Sequence, residues 1–228
     1  MSSPQFHPEV PLVSTSLLGY YQDNQIDPVP IPLQDDVAWQ THVAKRRNLY
    51  ERHLGIPLSF LGDRSVLEFG CNSGENALVL AAAGANLTLM EPHLPAVERL
   101  EKLFSSFGLR ERIVEVGHES IEDFAGDATY DLVIAEGFVN TLELRDQMLS
   151  KMCRLTAPGG LAVVSFDECV GYTLELVRKL IFWRAYRLEG LNDVRSAESL
   201  ALAERIFSED FSQLNASRAF VGWYDDVL

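Results

Sequence analysis

Val66-Leu67-Glu68-Phe69-Gly70-Cys71-Asn72-Ser73-Gly74-Glu75-Asn76-Ala77 runs from an apolar segment through two glycines into an alanine- and leucine-rich one. A short apolar run opens it and predicts a buried strand over Ser65–Phe69. Gly70 and Gly74 then predict a turn in which backbone can approach a ligand closely. The alanine- and leucine-rich segment that follows predicts a helix over Glu75–Ala83, ended by Gly84, whose first N–H groups would face the same space. About twenty residues beyond the turn, a second apolar run, Asn86–Met90, ends in Glu91. An acid there can accept hydrogen bonds from both hydroxyls of a ribose, as in dinucleotide-binding folds.

Outward from this unit the chain keeps alternating. A helix is predicted over Pro95–Phe107, closing at Gly108, with strands over Arg112–Val116 and Tyr130–Ala135. A further helix is expected over Thr141–Thr156, stopped by Pro158-Gly159-Gly160, before a fifth strand over Leu161–Phe166. Strand–helix alternation with continuous apolar strands predicts an α/β fold, a doubly wound and mostly parallel sheet covered on both faces. Before it, residues 1–37 are rich in proline and read as irregular, and Val37–Leu54 reads as a helix. After Phe166, residues 170–215 read as helical, with Leu174, Val177, Leu180, Ile181, Leu200, Ile206 and Phe207 as apolar anchors. Arg218–Tyr224 offers one late strand-like run. The expected organisation is an irregular segment and helix over 1–57, a nucleotide-type core over 58–168 and a helical lid or insertion over 169–228.

Composition narrows the partners. The formal net charge of −14 disfavours the phosphate backbone of nucleic acid. No apolar run reaches the ~20 residues of a membrane span, and no signal-like N-terminus is read. Cys71, Cys153 and Cys169 show no metal-ligand spacing, so a reducing, cytoplasmic setting is expected. Lys45-Arg46-Arg47, with Arg52 nearby, reads as the solvated face of a helix, contact with an anionic substrate being the other use. The turn lacks the third glycine of G-x-G-x-x-G, and Glu75 stands where a phosphate loop would end in Lys-Ser/Thr. Nicotinamide and nucleoside phosphates are therefore disfavoured.

These residues together resemble the class I methyltransferases that use S-adenosylmethionine (SAM), in particular their small-molecule branch. Glu68, Gly70 and Gly74 match the E/D-x-G-x-G-x-G motif. Asn72 replaces the middle glycine and, as a residue tolerant of left-handed backbone, can preserve the turn. Leu87–Glu91, the loop from Glu119 to Asp123, Tyr130–Glu136 and the Leu155–Gly160 segment match in order, so the likeness spans about residues 60–166.

The resemblance implies SAM as cofactor, with a small metabolite, sugar or biosynthetic intermediate as methyl acceptor. It places Gly70, Asn72 and Gly74 along the methionine part and Glu68 at its amino group. Glu91 would hold the ribose. Glu119, Ser120 and Ile121 would lie beside adenine, with Ile121 as an apolar cover, and Glu136 and Gly137 near the acceptor. Glu136, His118 and Asp167 are the candidate bases, with Glu168 and His93 behind them. No metal is expected, although Asp167, Glu168 and Glu136 could form an oxygen-donor set. Tyr20-Tyr21 could contact a sulfonium. The family sheet ends in an antiparallel pair that the sequence does not offer, so another domain or chain is a candidate cover for that edge. Two rival readings are a SAM-binding module of a larger protein without its own catalysis and a nicotinamide dehydrogenase.

Overall fold

A computed structural model describes residues 30–33, 35–139, 142–166, 169–194 and 196–213. Two compact units divide the chain, Met1–Phe166 and Asp167–Leu228.

The first unit opens with helix α1, Asp36–Arg47, started by Asp35, whose carboxylate accepts the Ala38 N–H at 2.8 Å. It runs on into a π-helical segment, Asn48–His53. His42, Arg46 and Tyr50 are the buried residues of this stretch, and their four-residue spacing puts them on one face. The rest of the unit alternates as β1 (Ser65–Phe69), α2 (Glu75–Ala82), β2 (Asn86–Met90), α3 (Leu94–Ser106), β3 (Ile113–Gly117), β4 (Tyr130–Ala135), α4 (Arg145–Leu155) and β5 (Thr156–Val164). Among the described residues the sheet has five strands in the order β3-β2-β1-β4-β5. All four pairings are parallel.

Burial explains why these strands form. Val66, Leu67, Leu87, Leu89, Leu132, Val133 and Ile134 have no exposed surface, as strands covered on both faces require. One core cluster joins β1 and β2 to Leu78, Leu80, Leu100 and Phe104 of the helices. The other joins Leu67, Phe69 and Val133 to Met148, Met152 and Leu155 of α4. The order reverses between β1 and β4, the switch point outside whose carboxyl ends doubly wound sheets bind ligands.

Three expectations need correction. The α4 helix spans Arg145–Leu155 rather than 141–156. The fifth strand begins at Thr156, five residues early, because Tyr130 pairs with Thr156 and Leu132 with Leu161. Ala157-Pro158-Gly159-Gly160 is thus a bulge within the strand rather than a turn before it. Gly160 lies so close to β4 that a Cβ there would meet the Asp131 carbonyl at 2.8 Å.

The second unit carries α5 (Cys169–Leu188) and α6 (Ala197–Gln213), in keeping with the helical reading. Its own core is Phe182, Tyr186, Leu202, Ala203 and Phe207. The third correction falls on α5. Leu174, Val177, Leu180 and Ile181 stay exposed, and the Phe182–Tyr186 face does the packing. Tyr20, Tyr21, Asp167, Glu168 and Arg218–Tyr224 lie outside the described residues.

Candidate functional site

The carboxyl ends of β1, β2, β3 and β4 bring most of the expected residues to one edge of the sheet. The turn after β1 is left-handed at three positions: Gly70 (φ 65°), Asn72 (φ 52°) and Gly74 (φ 85°). Asn72 adopts the conformation anticipated for it, and its side-chain oxygen accepts the Ser73 N–H at 2.7 Å. Gly74 then caps α2. Phe138, from the loop after β4, lies over Gly70, where a Cβ would come within 2.7 Å of the ring.

Glu91 ends β2 in a buried position. Its carboxylate accepts the Asn72 N–H at 2.7 Å on one oxygen and the His93 N–H at 2.9 Å on the other. Burial raises its pKa, and these two backbone N–H groups work against that rise. Each oxygen keeps acceptor capacity for a hydroxyl, so the pair of oxygens fits a ribose diol.

Glu68 is buried in β1, and its Oε2 has no hydrogen-bond partner among the described residues. Burial pushes its carboxyl up to about 8, the negative charge of Glu136 adds to the rise, and Arg46 opposes it. An orphaned buried oxygen beside a left-handed glycine turn suits a cationic ligand group such as an α-ammonium. The same shift has a consequence for stability. Between about pH 4.5 and pH 8 the folded chain holds a proton on Glu68 that the unfolded chain has released. Stability from this group is therefore complete below the lower value and lost as pH rises toward the upper one. Glu75 and Glu91, also raised by burial, act in the same direction. Urea unfolding from pH 5 to pH 8 should show falling stability, with Glu68 contributing on the order of a few kcal/mol. Glu68→Gln should flatten that slope. An unchanged slope would mean Glu68 is ionised throughout.

Glu136, after β4, does not stand free. Arg46 of α1 grips it in a bidentate pair, Nη1 to Oε2 at 2.9 Å and Nη2 to Oε1 at 2.8 Å. The guanidinium also lies 5.2 Å from the Tyr50 ring centroid. Arg46 is buried while Lys45, Arg47 and Arg52 are exposed, so the basic cluster is a solvated face only in part. Arg46 is the residue the sequence reading missed. The four-residue spacing of His42, Arg46 and Tyr50 was the available signal. Both carboxylate oxygens are thus engaged by the guanidinium, which gives Glu136 an anchoring role between α1 and the end of β4.

His118 and Glu119 are exposed after β3, and Ser120 is half-buried. Ile121 is only 2% exposed. Its side chain packs with Phe69 and Met90. Gly137 (φ 89°) donates its N–H to the Ser165 hydroxyl at 2.6 Å. His93 follows Glu91 at the start of α3.

The N-terminus of α2, the usual seat of a phosphate, holds the protein's own buried Glu75. Burial raises that carboxyl, and its own backbone N–H and the Ser73 hydroxyl stabilise its charge. A pyrophosphate fits poorly there. A cofactor with an ammonium, a ribose and no phosphate fits the residues present.

Residues 67–162 match the family model described as a methyltransferase domain. The cypemycin N-terminal methyltransferase of Streptomyces sp. is 31% identical over 115 residues, 48% of this chain and 43% of that relative. The chain thus matches less than half the length of this curated relative. Among solved structures, PKMT2 from Rickettsia typhi, in complex with AdoHcy, superposes with a TM-score of 0.54 at 18% identity, over 81% of this chain and 35% of the other. The N-methyltransferase NodS from Bradyrhizobium japonicum, in complex with S-adenosyl-L-homocysteine, gives a TM-score of 0.46 at 21% identity, over 63% and 71%. Strand order, left-handed glycine turn and the match to a methyltransferase domain coincide over one segment, and the sheet fits the fold of the class I methyltransferases.

Proposed function

We propose that the chain is a SAM-dependent methyltransferase acting on a small metabolite, sugar or biosynthetic intermediate. The observation that carries the cofactor side is the way Glu91 is held, with both oxygens fixed by backbone N–H groups of the turn and of the α3 start. Glu91 would take the ribose hydroxyls. Gly70, Asn72 and Gly74 would border the methionine chain, Glu68 would meet its ammonium, and Glu119 and Ser120 would flank adenine. Asp167 remains a proposed base alongside His118, and no resident metal is proposed.

When bound, SAM supplies a methyl group on a cationic sulfur. The chain's own work is then to hold donor and acceptor in line and exclude water, which can provide much of the rate enhancement. An amine acceptor is the favoured class. A neutral amine carries its own lone pair and asks little of a base, while Glu136 is engaged by Arg46. The curated relative is named for N-terminal methylation. We propose that acceptor choice lies outside the core, in the N-terminal segment and the helices after Phe166, and that the protein works in the cytoplasm. No helix among the described residues is long and apolar enough to cross a membrane.

Two measurements test this reading. Incubation with methyl-labelled SAM and a panel of amines, hydroxyl compounds and sugars should transfer label to one small-molecule class. Transfer to none, with SAM bound, would favour a binding module. Glu91→Ala should weaken S-adenosylhomocysteine binding ten- to a hundredfold, since bonds to charged groups contribute about 1.5–3 kcal/mol. Unchanged affinity with the fold intact would place the ribose elsewhere.

A further inference from the structure

Residues 118–129, between β3 and β4, form a loop whose one local feature is a turn at 121–123. Where a second ligand-facing wall is needed, the sheet supplies irregular backbone, and something must fix it. Part of the fixing is local. Ser120 Oγ donates to Asp123 at 2.8 Å, and the Phe124 N–H reaches the Ser120 carbonyl at 3.0 Å. Ile121 is buried, and Phe124 meets Phe69 edge-on at 5.2 Å between ring centroids.

The remaining tether comes from α4. Lys151 Nζ donates to the carbonyls of Ile121 at 2.7 Å, Glu122 at 2.7 Å and Phe124 at 3.0 Å. An ammonium has three N–H donors and no acceptor, so all three are spent on one turn. The carbonyls of that turn converge on one point, and the positive charge stabilises their aligned dipoles as at a helix C-terminus. Surface lysines normally range freely and keep their charge hydrated. Here the head group is bound to backbone that belongs to a different part of the chain. The loop is thereby locked to the helix under β4 rather than to the strand it follows.

We propose that Lys151 is a positioning residue that sets the adenine-side wall of the cofactor site by gripping this loop through three backbone carbonyls. The proposal rests on the SAM-site reading above and assigns to α4 a share in cofactor selection. Lys151 touches no ligand. It acts by holding the backbone of residues 120–124 where the edge of a purine could be read.

The test uses the full chain and two ligands, S-adenosylhomocysteine and S-inosylhomocysteine, in which an oxo group replaces the 6-amino group. Calorimetry gives both affinities and their ratio. In wild type the adenosine ligand should be preferred. Lys151→Met keeps the stem and removes the donors, and it should weaken S-adenosylhomocysteine about tenfold, the loss expected for ~1.4 kcal/mol. It should also shrink the preference over the inosine ligand. Lys151→Gln, which retains a neutral donor, should move in the same direction by less and serves if the methionine variant folds poorly. A folded Lys151→Met or Lys151→Gln protein with wild-type affinity overturns the proposal. So does an equal loss for both ligands with the ratio unchanged, as general loosening would give. Wild-type protein that binds neither ligand overturns the SAM-site reading itself, and this proposal with it.

Discussion

Arg46→Met is expected to destabilise the protein by about 3 kcal/mol, at the lower end of what breaking a buried ion pair costs. Arg46 and Glu136 are joined by two short charge-assisted bonds, with side-chain exposures of 9% and 20%. The surroundings are a balanced set: Glu136 negative, Arg46 positive, and Glu68 kept protonated by burial at neutral pH. Losing Arg46 leaves Glu136 uncompensated beside Glu68 and removes the guanidinium packed on Tyr50. Partial exposure lets Glu136 find some water, which is why the lower end applies. Denaturant midpoints should show the loss in Arg46→Met and recovery of much of it when Glu136→Gln is added, because two neutral groups leave no orphaned charge. A single variant within about 0.5 kcal/mol of wild type, the range of ordinary surface substitutions, would mean that α1 is not anchored through this pair.

Gly74→Ala should cost a similar amount, roughly 3 kcal/mol, from two separable sources. Left-handed backbone penalises a Cβ by about 1–2 kcal/mol, and Gly74 sits at φ 85°. The added methyl would also approach Leu100 Cγ to 2.8 Å and Phe104 to 3.1 Å. Both are fully buried, and forcing atoms into a packed core costs about 1–3 kcal/mol. Gly137→Ala separates the two sources. Its φ is 89°, yet among the described residues nothing lies within 4 Å of the position a methyl would take, so it should show the backbone part alone. Equal losses in the two variants would mean that α3 does not press on the turn.

Much of the fold was legible because the central strands are apolar on both faces and end at glycine or acid. Ser65–Phe69, Asn86–Met90 and Tyr130–Ala135 stand where the pattern placed them. The edge was harder. Pro158-Gly159-Gly160 carries ordinary turn chemistry, and nothing local reveals that β4 pairs on both sides of it as a bulge. On α5 the apolar residues nearly surround the helix, so spacing alone could not select the Phe182–Tyr186 face over Leu174–Ile181. Of the candidate site, the turn and Glu91 were readable as a local motif. Arg46 was signalled only by its helical spacing with His42 and Tyr50, and Lys151 not at all, because each is a long cation on a helix and acquires its role from a carboxylate or a set of carbonyls distant in sequence. Ile121 shows the converse: an apolar residue in a loop is as suited to the core below, where it packs, as to a ligand above.

The carboxyl edge of this sheet is proposed to take an adenosyl cofactor without phosphate. Calorimetric titration of the full chain with S-adenosylhomocysteine and, separately, with NAD tests it most directly. Saturable binding of S-adenosylhomocysteine at one site and no binding of NAD is the predicted result. Binding of NAD with no response to S-adenosylhomocysteine or SAM would contradict the account.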